Sequence, residues 1–193
     1  AVSKTRPVED LRRALQAGVT DLGENRVQEA VQKRPDVDGG RWHLIGQLQR
    51  NKAGRAVELF DVVQSVDSGR LATALSRRAE AAQVRLDVLL QVNTAGVEHQ
   101  AGVEPDAVDA LAEEVAALEG LRIRGLMTIA PFTSHESSLR DSFRQLRSSG
   151  ERLTAGLPDA TVLSMGMSGD YEIAIEEGAN VVRIGRALFG EPA

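Results

Sequence analysis

Short apolar or β-branched runs alternate with longer stretches of helical period along the whole of this sequence. The runs fall at Ala1 to Ser3, Val19 to Leu22, Trp42 to Ile45, Val62 to Ser65, Leu86 to Val92, Leu121 to Met127, Thr161 to Leu163 and Val181 to Ile184. They have the length and residue type of strands buried in a parallel sheet, and the stretches between them have room for crossover helices. Helix punctuation agrees with this. Pro7 with Glu9 and Asp10 opens a helix that Gly18 closes, Asp67 and Ser68 precede the run Leu71 to Ala82, and Pro105 with Asp106 opens the segment that Gly120 ends. Ser168 is placed as the N-cap of a helix that runs through Ile175 and stops at Gly178. Eight strand-helix units, with no antiparallel insertion and no dinucleotide fingerprint after the first strand, favour a closed (β/α)8 TIM barrel over an open doubly wound sheet. At 193 residues the chain is short for that barrel. A single domain over 1–193 is expected, with a helix ahead of Ala1 missing.

Composition narrows the class. The 23 basic and 28 acidic residues leave a net charge of -5, and the arginines are dispersed, so no nucleic-acid footprint is present. The absence of cysteine excludes disulfides, thiolate nucleophiles and Cys-ligated metals, and is compatible with the cytoplasm. No apolar run approaches the roughly 18 residues of a membrane span.

In a parallel barrel the working face is built from the segments after each strand, and here those segments are polar: Lys4, Glu24 with Asn25, Gln47, Ser65, Asn93, Thr128, Ser164 to Ser168, and Arg183 to Arg186. Taken singly, Ser65, Asn93 and Thr128 read as helix caps. Lys4 is more pointed, because the only other lysines are Lys33 and Lys52 in a chain that otherwise uses arginine. A lysine whose stem is flanked by apolar barrel residues is driven toward the neutral amine that attacks carbonyls; the alternative is an ion pair with Glu24 at the barrel mouth. The glycine-containing segments Ser164 to Gly169 and Arg183 to Arg186 follow the seventh and eighth strands, where this fold commonly binds phosphate. A phosphorylated aldehyde joins the two features, and pyridoxal 5'-phosphate is the cofactor of that description. Arg183 is then the candidate for its ring nitrogen, a cation that cannot accept the pyridinium proton and so weakens carbanion stabilisation. Of Trp42 and His43, adjacent on one strand, only one can look into the barrel, and His43 reads as a structural histidine. His99 and His135 have no partner spacing for a metal, and no metal site is expected.

The segments Ala1 to Pro7, Gly23 to Glu29, Trp42 to Lys52, Gly125 to Pro131, Ser164 to Ser168 and Val182 to Gly185 together resemble the pyridoxal phosphate homeostasis protein family, whose fold is similar to the alanine racemase barrel domain, PLP fold type III. The resemblance implies that Lys4 carries the cofactor as an internal aldimine and that Asn25 lies beside it. It also implies that Ser168 with the backbone of Gly185 and Arg186 holds the phosphate and that Arg183 faces the ring nitrogen. The implied function is a cytoplasmic, monomeric carrier that takes part in PLP homeostasis, has PLP-dependent apoenzymes as partners and has no catalytic residues of its own. Arg6 and Gln100 stand where the family often has lysines, and the family's helix ahead of the first strand is absent. A racemase using the same lysine, and a sugar-phosphate enzyme on a similar barrel, are the competing readings. Racemisation needs an acid and a base on opposite faces of the substrate Cα, which one lysine does not supply. Alanine racemase takes its second base, a tyrosine, from a separate β domain that is not recognisable here; the sole tyrosine, Tyr171, is expected on the barrel exterior.

Overall fold

The computed structural model describes residues 1–96, 100–133 and 135–190. Seven parallel strands form one sheet in chain order: β1 (Asp21–Glu24), β2 (Arg41–Leu44), β3 (Val62–Val66), β4 (Leu86–Gln91), β5 (Leu121–Met127), β6 (Val162–Met167) and β7 (Val181–Arg183). The eighth place is taken by the extended segment Ala1 to Ser3. Val2 pairs in parallel with Gly23, its amide donates to the Ile184 carbonyl at 2.7 Å, and the Ser3 amide donates to the Gly23 carbonyl at 2.9 Å. The first predicted run therefore bridges β1 and β7 and completes the (β/α)8 ring.

Around the sheet lie α1 (Val8–Gln16), α2 (Val27–Lys33), α3 (Ala53–Leu59), α4 (Gly69–Ala81), α5 (Val108–Ala116), α6 (Glu136–Gly156), α7 (Tyr171–Glu176) and α8 (Arg186–Phe189). Pro7 precedes α1, the Ser68 hydroxyl accepts the Leu71 amide at the start of α4, and Gly18 and Gly178 adopt positive φ after α1 and α7, as their positions predicted. Apolar residues alternating along the strands pack outward against these helices, with Leu22, Trp42, Leu44, Val63, Leu90, Leu126 and Phe143 fully buried. Burying one such side chain contributes about 1.5–3 kcal/mol, so this layer between strands and helices is the main source of stability. Trp42 points outward and His43 inward, which settles the choice between them.

Two strands differ from expectation by more than one residue. β1 begins at Asp21, because Val19 closes α1 by donating its amide to the Ala14 carbonyl, and it runs on through Gly23 and Glu24. β6 starts at Val162 and continues to Met167, where its register passes to Arg183 of β7. As a consequence Ser168 is not a helix cap. The turn after β6 takes up residues 168–170, Asp170 stands at the N-cap of α7, and its carboxylate accepts the Met167 amide at 2.6 Å.

Candidate functional site

A cleft of about 780 Å³ opens at the carboxyl ends of the strands. Lys4, Asn25, Ser168, Arg183, Gly185 and Arg186 all line it. The residues singled out from the sequence are thus brought together from four separate loops, on the face where a parallel barrel gathers its chemistry.

Lys4 ends the segment that closes the ring. It is exposed, so the apolar flanking expected of its stem is not found. The pairing with Glu24 does not occur either, because Glu24 lies on the helix side of β1. There Lys33 donates to Glu24 Oε1 at 2.8 Å, to the Ser3 carbonyl at 2.8 Å and to Glu29 Oε2 at 3.3 Å. Ser3 also donates its hydroxyl to Glu24, and Glu29 accepts the amide of Thr5, whose φ is +62°. The backbone on both sides of Lys4 is therefore clamped while its amine stands clear. Burial raises Glu24 above the usual carboxylate range even though the hydrogen bonds from Lys33 and Ser3 pull it down. Its Oε2 is buried with no hydrogen-bond partner among the described residues.

Asn25 follows β1 and is half-buried. Gly46, after β2, lets the two loops meet: a Cβ there would lie 2.2 Å from the Asn25 carbonyl oxygen. Across the cleft the Ser168 hydroxyl accepts the amides of Gly185 and Ala187, each at 3.3 Å. Gly166 shapes this turn with φ +92°, and a Cβ on it would strike the Ala174 side chain at 2.6 Å. Arg186 begins α8 and is exposed.

Arg183 forms the floor of the cleft and is 7% exposed. One guanidinium nitrogen donates to the Ser164 carbonyl at 2.8 Å and to its hydroxyl oxygen at 2.9 Å, and another donates to the Thr128 carbonyl at 2.6 Å. Burial draws it down to about 10, with Asp170 opposing, so it carries its charge at neutral pH.

Other polar positions prove to be braces. The Ser65 hydroxyl donates to the Gly46 carbonyl, the Thr128 hydroxyl to the Val92 carbonyl, and the Asn93 amide to Glu104; none caps a helix. Gln100 donates to the Ile129 carbonyl at 2.6 Å, and Gln91, inside β4, donates to the Ala101 carbonyl at 2.9 Å, which ties the loop after β4 over the cleft. Arg6 donates to the Gly190 carbonyl and sits 5.7 Å from the centre of the Phe189 ring. Gln91, Asp170 and the fully exposed Phe132 at the rim were not picked out in the sequence. A glutamine inside an otherwise apolar run and a Pro-Phe pair four and five residues past the end of β5 were the available signals. The Tyr171 hydroxyl turns to Glu172, and the side chain does not line the cleft. His99 lies outside the described residues; His135 precedes α6 in a loop, and no metal-binding group of three His, Asp or Glu occurs among the described residues. No helix among them is long and apolar enough to cross a membrane.

The sequence profile of the alanine racemase N-terminal domain matches residues 1–192. The pyridoxal phosphate homeostasis protein of Vibrio cholerae is 42% identical over 99% of this chain and 84% of its own length. That of Pseudomonas aeruginosa is 44% identical over 98% of this chain and 82% of its own. The chain belongs to the pyridoxal phosphate homeostasis protein family. PipY of Synechococcus elongatus, a solved structure without PLP, superposes on it with a TM-score of 0.92 at 40% identity, covering 98% of this chain and 91% of PipY. PipY with PLP bound gives a TM-score of 0.89 at the same identity and coverage. Alanine racemase of Clostridium difficile gives a TM-score of 0.86 at 16% identity, covering 98% of this chain and 51% of the racemase, a likeness of fold alone.

Proposed function

We propose that this family member binds pyridoxal 5'-phosphate in the cleft at the carboxyl ends of its strands and serves PLP homeostasis as a carrier, without turning over amino acids. The observation that carries the reading is the polar set of one cleft: an exposed primary amine on one wall, the Ser168 hydroxyl held by two backbone amides on the other, and a buried cation in the floor. That set fits a ligand with an aldehyde and a phosphate. When bound, the cofactor supplies an electrophilic carbonyl and a ring able to accept electrons.

The chain's own residues divide the work. Lys4 offers its amine to the carbonyl, and the clamp from Lys33 and Glu29 holds the backbone that aims it. Ser168 holds the amides of Gly185 and Ala187 and, with Arg186, receives the phosphate. Asn25 lies beside the ring. Arg183, charged at neutral pH, would hold a cation facing the ring nitrogen and would not serve as its proton acceptor. Racemisation needs a second acid-base group opposite Lys4, and Tyr171 bonds to Glu172 away from the cleft. PLP-dependent apoenzymes are the proposed recipients, with the protein acting as a cytoplasmic monomer.

An absorption spectrum of the protein loaded with pyridoxal 5'-phosphate, before and after borohydride, tests this directly when followed by mapping of the reduced peptide. Attachment at Lys4 is expected; attachment at Lys33 or Lys52, or none, overturns the assignment. Incubation with amino acids in deuterated water, read by NMR at Cα, tests the absence of turnover. Multiple turnovers that vanish in Lys4→Ala would promote the racemase reading.

A further inference from the structure

A second cavity, of about 330 Å³, opens at the opposite, N-terminal mouth of the barrel, and Val2, Ile45 and Arg183 line both it and the upper cleft. Between the two mouths the barrel interior holds an unbroken file of polar groups. Arg183 donates to the Ser164 hydroxyl oxygen at 2.9 Å, and Ser164 donates to Gln64 Oε1 at 2.7 Å. Gln64 Nε2 meets His43 Nδ1 at 2.9 Å, and His43 Nε2 meets Asp21 Oδ1 at 2.7 Å. We propose that Gln64 and His43 are positioning residues for Arg183, acting through a one-way hydrogen-bond relay that couples protonation of His43 at the lower mouth to ligand binding in the upper cleft. This rests on the reading that Arg183 faces a cofactor ring.

The direction follows from donor and acceptor identity. The Asp21 carboxylate only accepts, so His43 Nε2 carries the proton, and in a neutral imidazole Nδ1 is then an acceptor. That acceptor fixes the Gln64 amide with its NH2 toward His43 and its carbonyl toward Ser164. The Ser164 hydroxyl must therefore donate to Gln64, which turns its lone pair to Arg183. Every link donates toward Asp21, and each orientation forces the next.

A proton taken from solvent by Nδ1 reverses this order. The new N-H confronts the Gln64 NH2, the amide flips, and the Ser164 hydroxyl loses its acceptor next to the guanidinium. Arg183 is then less firmly held, and a ligand that needs it oriented binds less tightly. The groups facing His43 pull in different directions. Burial disfavours the imidazolium, as does Arg41 from β2, while Asp21 from β1 favours it; the balance lies below the usual histidine value. Arg124 from β5 and Arg183 from β7 line the same cavity and add to the positive side. His43 is therefore neutral around pH 7, and the relay runs in its working direction.

Linkage supplies the test, because if protonation weakens the ligand then the ligand lowers the pKa of His43 by the same factor. In 15N-labelled protein titrated by NMR, neutral His43 is expected with its proton on Nε2. Saturating pyridoxal 5'-phosphate is expected to lower its midpoint by roughly 0.7, the counterpart of about fivefold weaker binding to the protonated form. In Gln64→Met the midpoint should no longer respond to the cofactor while the absorption band of the bound cofactor remains. Ser164→Ala cuts the same file one link further on, should Gln64→Met fail to fold. A proton on Nδ1 overturns the proposal, and so does an equal midpoint in free and loaded wild type with the absorption band present. Absence of that band in wild type overturns the cofactor reading and the relay with it.

Discussion

The two mouths of this barrel are both lined by polar side chains but use them in opposite ways. At the N-terminal mouth the polar groups satisfy one another: Asp87 is 5% exposed and held by Arg41 and Arg122, Asp21 accepts hydrogen bonds from Thr20 and His43, and Asp61 accepts the Trp42 amide. At the C-terminal mouth the polar groups face open space: Lys4 stands exposed, and Ser168, whose hydroxyl oxygen accepts the amides of Gly185 and Ala187, lines a cleft. On the proposed function the C-terminal mouth would carry binding and the self-paired N-terminal mouth stability, so substitutions at the two ends should separate these properties.

The largest effect is expected from Lys4→Ala. Attachment of pyridoxal 5'-phosphate should be lost completely, with no borohydride-trapped peptide, while the thermal midpoint stays within about 2 °C because the side chain is exposed. A large fall in that midpoint would mean that the open mouth is also structural. The converse change, Asp87→Ala, leaves two arginines without their shared partner and should lower stability by about 1–2 kcal/mol in urea unfolding, with cofactor affinity unchanged. Ser168→Ala should weaken pyridoxal 5'-phosphate about tenfold and unphosphorylated pyridoxal hardly at all, as read by titration of each. Equal losses for both would place the phosphate elsewhere.

The smallest effect is in the pH dependence of stability, where the carboxylates of the two ends oppose each other. Glu24 is raised in the fold, so its contribution is fully present at low pH and fades as pH climbs from the ordinary glutamate value through the raised one. Asp21 is lowered: its partial burial is outweighed by hydrogen bonds from Thr20 and His43, so its contribution is present at neutral pH and lost as pH falls through the lowered value. Urea unfolding across this range should become flatter on the acid side in Asp21→Asn and flatter above the glutamate range in Glu24→Gln. Identical pH profiles in both variants and wild type would remove the contrast.

How far the sequence carries this contrast depends on which face of a strand a residue occupies. The outward face obeys hydrophobic patterning, and Leu22, Trp42, Leu44 and Val63 mark their strands plainly. The inward face does not, because a barrel core can be polar where the groups bond one another. Gln64 inside Val62 to Ser65 and His43 between Trp42 and Leu44 look like interruptions of apolar runs, and only the ring brings Ser164 to Gln64. The cleft residues were legible because they follow the runs directly, whereas the true cap at Asp170 was hidden by β6 extending through Gly166 to Met167. The Lys33 clamp was illegible for a different reason. Lys33 sits in a helix, and its meeting with Ser3 and Glu24 follows from packing against β1 rather than from any local spacing.

The segment Ala1 to Ser3 closes the ring by meeting Ile184, so the last seam of the barrel joins the first residues of the chain to nearly the last. In topological terms the contacts along this seam are among the most non-local in the fold, and Arg6 with Gly190, 184 residues apart, lies along it. A ligand held between Lys4 and the Ser168–Gly185 turn spans that seam like a rivet. Its occupancy would be felt as slowed hydrogen exchange on both sides of the seam together, at the amides of Val2 and Ser3 and at that of Gly185, and the same rivet, once released, would leave the seam as the first place the barrel breathes.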